Sequence, residues 1–433
     1  MSYQAIVSRI ISTRPIEGAD RIVAASVSGS MAEVVIAINH KINDLGVFFP
    51  EDGIFEQEFC VQNNLFPVLD GSGKRVGGGF FDRNNPRIRA QKFKRVKSNG
   101  FWCPLSYLEY TGYDLSLLKE GDKFTELNGV LICQKYYTKA TRRAMENAKK
   151  NGKKQPKTIS FPEHVDTLKF DYSLMDIKKG DFVTLTLKTH GTSQRFSRTF
   201  VNKELNGFQR FVNRIFNDFF KSTIYLDYLV GTRRVILGLS NNAQSYYGDE
   251  TFRYKHLEKV KTLLQPGEVI MGELVGYTTN GNKIMSDHLT KDTQDKDFIQ
   301  KYGDKIEYTY GCPAGDCEFY VYRILKTDQE GNSVDLTWPQ VKNRCAQLGL
   351  KHVVELEPSF IFDGHYEKLQ ELVKKHESGP DLIDPRIHRE GAVIRVDNHK
   401  TTPLFLKSKN WHFGVMEGYI KNNDHYVDLE EIS

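Results

Sequence analysis

A strand-length segment, Phe182–Leu187, runs without a turn residue into Lys188-Thr189-His190-Gly191-Thr192, and this junction narrows the folds open to the chain. Charged residues then recur, in order, within other apolar segments. Glu273 interrupts Val269–Gly276, Glu390 precedes Gly391-Ala392-Val393-Ile394, and Lys407 and Lys409 alternate with Leu406 and Ser408. A carboxylate placed in an apolar run needs a partner, because burying it alone is costly. Lys407 and Lys409 are two residues apart, so on a strand both ammonium groups point to one face. Taken singly, each acid reads equally as half of an internal salt bridge, and Lys-x-Lys as an edge strand decorated with lysines. Lys97-Ser98-Asn99-Gly100 and Lys149-Lys150-Asn151-Gly152 share the Lys-x-x-Gly spacing but lack the strand context, and we read them as chance.

The 433 residues predict two or three domains, and the composition is that of a soluble globular protein. The longest apolar runs, such as Val34–Ile38, are far too short to span a membrane. The N-terminal residues lack the pattern of a secretory signal, so an intracellular, cytoplasmic protein is expected. Six cysteines without a repeated spacing point to reduced thiols. Cys312 and Cys317 are the only close pair, and no second pair at zinc spacing accompanies them, so a structural zinc is not expected.

The net charge of +5 is modest, but its placement is uneven. Between Lys135 and Lys157 lie nine basic residues and one acidic one, Glu146. A second cluster, Arg87, Arg89, Lys92, Lys94, Arg95 and Lys97, is interleaved with Phe93 and followed by Phe101 and Trp102. Basic side chains neutralise phosphates, and exposed aromatics offer bases a stacking surface. The plainer reading is a solvated strand face and a charged linker.

Residues 1–136 read as short strands: Gln4–Ile11, Arg21–Val27, Ala32–Ile38, Val47–Phe49, Arg89–Val96, Gly100–Cys103 and, after an Asn128-Gly129 turn, Val130–Cys133. So many short strands predict a small β-barrel of the OB type. Residues 137–159 read as a basic linker. From 160 to 433 strands mix with helical spacing over Glu204–Phe220, Tyr254–Leu264, Pro339–Leu348 and Tyr366–His376, an α+β domain.

Lysine attacks only as the free amine, about one molecule in a thousand near pH 7.4. Bringing an amine from about 10.4 to near neutrality is a differential of about 4 kcal/mol, which nearby cations, a metal and desolvation can supply. The chemistry suggested for Lys188 is attack on the α-phosphate of a nucleotide.

Lys188-Thr-His-Gly, Gly231-Thr-Arg-Arg-Val-Ile, Gly272-Glu-Leu-Val-Gly, Phe319-Tyr-Val-Tyr-Arg-Ile, Glu390-Gly-Ala-Val-Ile-Arg and Leu406-Lys-Ser-Lys together resemble the successive motifs of the covalent nucleotidyltransferase superfamily. That superfamily contains ATP-dependent RNA ligases, DNA ligases and mRNA capping enzymes. The His190-Gly191-Thr192 continuation looks most like the RNA ligases, and the order, with a β-rich module first and only 24 residues after Lys409, looks like the branch with an N-terminal OB domain. Pro15–Ile22 and Phe161–Asp166 also resemble segments of that branch.

The resemblance implies an N-terminal OB-type barrel and a nucleotidyltransferase (adenylyltransferase) domain that joins RNA 3′-OH and 5′-phosphate ends, using ATP and Mg2+ or Mn2+. It implies that Lys188 carries AMP, with Gly191 in the same nucleotide-binding motif. Arg233 would contact the ribose and the RNA 3′ end, although Arg234 beside it is an alternative. Glu273 would bind the ribose hydroxyls, Tyr322 would stack on adenine, and Glu390 would serve the metal-dependent step. Lys407 and Lys409 would contact the α-phosphate, and His190 would assist later steps. The expected partner is RNA, as a nicked duplex, with no membrane and with a monomeric protein.

Ser193 stands where several RNA ligases have Asn, Tyr322 where Phe is common, and Arg323 where Asp is common. Tyrosine keeps a stacking surface, whereas Arg323 reverses a charge. The alternatives are a DNA ligase, an RNA-end capping enzyme, a non-catalytic RNA-binding protein and an enzyme that transfers AMP to proteins.

Overall fold

The first half of strand β1 (Ala5–Pro15) is buried on both faces, and its period-two alternation serves two cores. Ile6 and Ile10 point into one cluster with Val23, Val27, Val34, Ile36, Phe48 and Trp102. Ala5 and Val7 point into another, with Val47, Phe49, Phe55 and Phe59. β1 pairs antiparallel with β2 (Ile22–Val27) and β4 (Leu45–Phe49). β3 (Val34–Ala37) adds to β2, and β5 (Phe101–Pro104) to β4. The far edges then approach one another, with the Val35 amide donating to Ser98 Oγ at 2.9 Å and the Asn99 amide to the Glu33 carbonyl at 3.0 Å. The result is a nearly closed, antiparallel, barrel-like sheet.

The computed structural model describes residues 3–30, 33–94, 96–139, 141–143, 145–146, 160–202, 212, 215, 224–237, 247–398, 400–418 and 420. Most of the basic stretch expected as a linker, and nearly all of the helix expected at 204–220, lie outside them.

Two expectations for the N-terminal region are corrected. The single strand expected over Arg89–Val96 is a hairpin of Ala90–Phe93 with Val96–Asn99, turning at Lys94 with φ 46°. Trp102 is buried in the barrel and Phe101 packs against Phe49, Phe55, Phe80 and Phe81, so neither is a free stacking platform. Arg87 is buried too, 3.7 Å from Asp52 and over the Tyr136 ring. The Asn128-Gly129 turn is present, both residues taking positive φ between paired strands.

The rest of the described chain is mixed α+β and builds two larger sheets beside a two-stranded one that pairs His288–Leu289 with Lys305–Ile306. In the first, β6 (Phe182–Lys188) pairs antiparallel with β11 (Gly391–Asp397), and β11 with β12 (Leu404–Lys409). In the second, β7 (Thr192–Asn202) lies between β8 (Ile224–Gly231) and β9 (Glu268–Gly276), and β9 pairs with β10 (Cys317–Thr327). Helix α1 (Trp338–Leu348) packs beside β10, and α2 (Tyr366–Glu377) beside β11. A capping box at Thr337 and Gln340 starts α1, and Gly349, in the left-handed conformation, ends it. The helix expected at 254–264 is shorter: Lys255–Val260, flanked by 3-10 turns.

Candidate active site

The chain leaves the first sheet at Lys188 and enters the second at Thr192, so residues 189–191 bridge the two. Gly191 is required there: a Cβ would sit 2.4 Å from the Leu274 carbonyl oxygen, and the crossing would be blocked. Register then fixes the neighbours. Lys188 pairs with Gly391, and Gly391 pairs with Lys409, which sets one row across three strands. Gly391 keeps the row tight, since a Cβ on it would meet the Ser408 carbonyl oxygen at 2.0 Å.

Glu390 sits at the end of this row and has no exposed surface. Its Oε1 is 2.9 Å from Lys188 Nζ and 2.9 Å from Lys409 Nζ, and its Oε2 is 3.3 Å from His190 Nδ1. Burial alone would raise the carboxyl's pKa, but the two lysines and the His190 contact outweigh it and hold Glu390 ionised, well below the usual carboxylate range. Both ammonium groups therefore lie within about 6 Å of one another, a range in which like charges disfavour each other.

A cleft opens between the sheets. Thr186, Lys188, Val393, Arg395 and Lys407 line it from one side, and Ser193, Glu273, Tyr322 and Arg323 from the other. Lys188, Gly191, Arg233, Glu273, Tyr322 and Lys407 thus share one cavity. Lys409, Glu390 and His190 stand behind Lys188 rather than in the lining. Lys407 and Lys409 leave the same face of β12 as expected, but Lys407 addresses the cleft and Lys409 the buried acid.

Polar contacts order the residues of the cleft wall. Tyr322 Oη lies 2.9 Å from Ser193 Oγ and 3.1 Å from His164 Nδ1. Burial, and then the charge of Glu273, push the Tyr322 phenol upward, so it stays neutral. Arg233 pairs with Asp166 and is buried, whereas Arg234 is not in the lining. The segment carrying His164 and Asp166 is itself anchored by buried Arg195, which donates to the carbonyls of Phe161 and Pro162 at 2.8 and 2.5 Å.

Arg323, the charge reversal noted in the sequence, has a partner in Asp335: Nε and Nη2 meet its two oxygens at 2.5 and 2.8 Å, buried on both sides. Across the cleft Arg395 donates to the Tyr322 carbonyl at 3.3 Å and so ties the sheets together.

Three residues near the site stand in no recognisable sequence pattern. Tyr310 Oη accepts from the His190 amide at 2.6 Å. His288 Nε2 lies 2.9 Å from Glu417 Oε1, and His190 Nε2 lies 3.7 Å from the same oxygen. Burial would raise the Glu417 carboxyl, but the His288 contact and the neighbouring cationic groups keep it lowered.

Among the described residues, no helix is long and apolar enough to cross a membrane. No curated protein sequence matches the chain. Among solved structures, the chain is similar to Naegleria gruberi RNA ligase. A ligand-free mutant form matches at 18% identity and a TM-score of 0.56, over 95% of this chain and 97% of that one. A mutant form with AMP and Mn matches at 18% identity and 0.57, over 97% and 99%, and a form with PPi at 17% and 0.55, over 95% and 97%. At such identity the likeness is one of fold. The family model for RNA ligase matches residues 181–409, more than half of the sequence and the whole span from Lys188 to Lys409, so the chain belongs to the RNA ligase family.

Proposed function

We propose that the protein is an ATP-dependent RNA ligase that joins 3′-OH and 5′-phosphate ends. Residues 160–433 are its nucleotidyltransferase domain, 1–136 an OB-type RNA-binding module and 137–159 the linker. The observation that carries the reading is the position of Lys188 on the rim between a cleft and a buried anion, with Lys407, Arg233, Glu273 and Tyr322 lining that cleft.

Three displacements follow. The Lys188 amine gives up a proton and attacks the α-phosphorus of ATP; the N–P bond forms and the bond to pyrophosphate breaks. An oxygen of the RNA 5′-phosphate then attacks the same phosphorus and the N–P bond breaks. Finally the RNA 3′-OH attacks the 5′-phosphorus and AMP leaves. In this reading Tyr322 packs on adenine, Glu273 accepts from the ribose hydroxyls, Arg233 contacts the ribose and the RNA 3′ end, and Lys407 meets the α-phosphate, with Lys409 behind it. His190 assists the later steps, ordered by Glu390 and by the Tyr310 hydroxyl.

A divalent cation such as Mg2+ or Mn2+, when bound, neutralises phosphoryl charge. The fit at Glu390 depends on state. With Lys188 charged, Oε1 already faces two ammonium groups. Once the Lys188 nitrogen is bonded to phosphorus it is no longer a cation, and Oε1 has room in its charge balance for a metal. Naegleria gruberi RNA ligase, solved with ATP and Mn and with AMP and Mn, supports this choice of cofactors.

The test is incubation with α-phosphate-labelled ATP and Mg2+ or Mn2+, followed by denaturing electrophoresis, beside Lys188→Ala. Label on the wild type alone is expected. Absence of label on protein stripped of bound AMP would remove the nucleotidyltransferase reading. A panel of nicked duplexes decides the substrate: sealing of all-DNA nicks but not RNA-terminated ones would make it a DNA ligase.

A further inference from the structure

Behind the nucleotide cleft, three side chains from distant parts of the chain converge on one point. His190 follows β6, His288 lies on the short strand His288–Leu289, and Glu417 caps α3 (Trp411–Met416). All three are more than nine-tenths buried, none lines the cleft, and one ligand atom from each lies within 4.8 Å of the others. Tyr308 and Phe413 wall the cluster, their ring centroids 4.8 and 4.9 Å from that of His190.

The placement of His190 is the telling feature. Its Nδ1 faces the Glu390 carboxylate at 3.3 Å. Its Nε2 makes no hydrogen bond among the described residues and points at Glu417 Oε1, 3.7 Å away. The same oxygen lies 2.9 Å from His288 Nε2, so three possible ligand atoms converge on one buried point. We infer that His190, His288 and Glu417 form a resident site for one divalent transition-metal ion of the zinc type, separate from the nucleotide cleft.

Two ligand atoms bound tetrahedrally at 2.0–2.1 Å lie about 3.3 Å apart. Two of the three separations, from His288 Nε2 and His190 Nε2 to Glu417 Oε1, are 2.9 and 3.7 Å and bracket that value; the third, between the two imidazoles, lies within 4.8 Å. Two imidazoles and one carboxylate are a zinc donor set with one position left open. Mg2+ and Ca2+ prefer shells of oxygen, so this site selects against the ions that suit nucleotide phosphates. Glu390 on the far nitrogen of His190 completes the carboxylate–histidine–metal arrangement that orients metal-bound imidazoles.

The experiment is metal analysis of the full, tag-free chain expressed with zinc and desalted against a weak chelator, with a parallel Co2+ titration followed by visible absorption. Wild type is expected to hold about one zinc per chain and to show tetrahedral cobalt bands. His288→Ala and Glu417→Gln are expected to lose both by tenfold or more while keeping a folded circular dichroism spectrum. Metal retained in full by both variants would place it elsewhere and overturn the site. So would a wild type that holds no zinc and gives no cobalt band, a result that needs no variant to fold. NMR detection of protons on both His190 nitrogens in that protein would identify the cation as an imidazolium between two carboxylates. None of these outcomes depends on ligase activity.

Discussion

Lys188 and Lys409 hold one anion between them: each ammonium nitrogen lies 2.9 Å from Oε1 of Glu390, although the residues are far apart in the chain. Removing the anion leaves two cations crowded in a site where both lysine side chains are largely buried. Glu390→Gln is therefore expected to lower stability by about 3 kcal/mol at pH 7, read by urea unfolding. The Glu390 pKa is lowered in the fold, so its contribution is present above its ordinary value of 4.5 and is lost as pH falls through the folded value. The difference between wild type and variant should stay flat from pH 8 to 6 and shrink only below about 4.5. Equal stability at pH 7 would deny the buried pair any net role.

Arg323 and Asp335 should behave as a unit. Both are buried and joined by two hydrogen bonds, so losing either leaves the other charge without its partner. Arg323→Ala and Asp335→Ala are each expected to cost about 3–5 kcal/mol, and Arg323→Met with Asp335→Leu much less than their sum. A double-mutant cycle with no coupling would show that other groups neutralise Arg323.

How much of this was legible depends on where each interaction is encoded. Lys188, Glu390 and Lys409 were readable because each stands out from an apolar strand, and a lone charge there demands a partner. The register that aligns Lys188, Gly391 and Lys409 was not, because pairing β6 with β11 joins segments about two hundred residues apart. His288 and Glu417 gave no signal for the same reason, lacking any short spacing to each other or to His190. Trp102 misleads through its neighbours: a basic, aromatic stretch suggests an exposed stacking face, yet Trp102 and Cys103 are buried in the barrel. The hairpin at Lys94 carries no turn signal, because its reversal uses no Gly, Pro or Asn.

The N-terminal module is fastened beside β12. Lys169 Nζ meets Asp52 Oδ2 at 2.5 Å and Glu51 Oε1 at 3.4 Å, and Lys169 pairs in register with Lys407. Tyr172 bonds to Glu51 and inserts its ring among the barrel residues, 5.5 Å from Phe48. Burial would lower the Lys169 ammonium, but the two acids outweigh it and raise it. Lys169→Met is expected to cost about 1–2 kcal/mol and to speed proteolysis between the modules. Deleting 1–136 should leave self-adenylation in place and weaken nick sealing. Equal sealing by the truncated protein would take the RNA-holding role away from the module.

Acid should unfold the protein partly through His388, two residues before Glu390. The Gly379 amide donates to its Nε2 at 3.2 Å, which fixes that nitrogen as an acceptor and the ring as neutral. Burial, reinforced by nearby His412, Arg389 and Lys301, pulls its pKa from 6.5 down to about 4. His256 is also pulled to about 4, by burial and then Lys255. A histidine that must stay neutral in the fold, but protonates freely once unfolded, favours the fold fully above 6.5. That advantage is lost as pH falls from 6.5 to about 4, by up to about 3 kcal/mol for each residue. Unfolding midpoints in urea should therefore drop across this window in the wild type, and less steeply in His388→Gln, which cannot take up the proton. Parallel slopes in the two proteins would mean that His388 already carries its proton in the folded state, and that the Gly379 amide has found another acceptor.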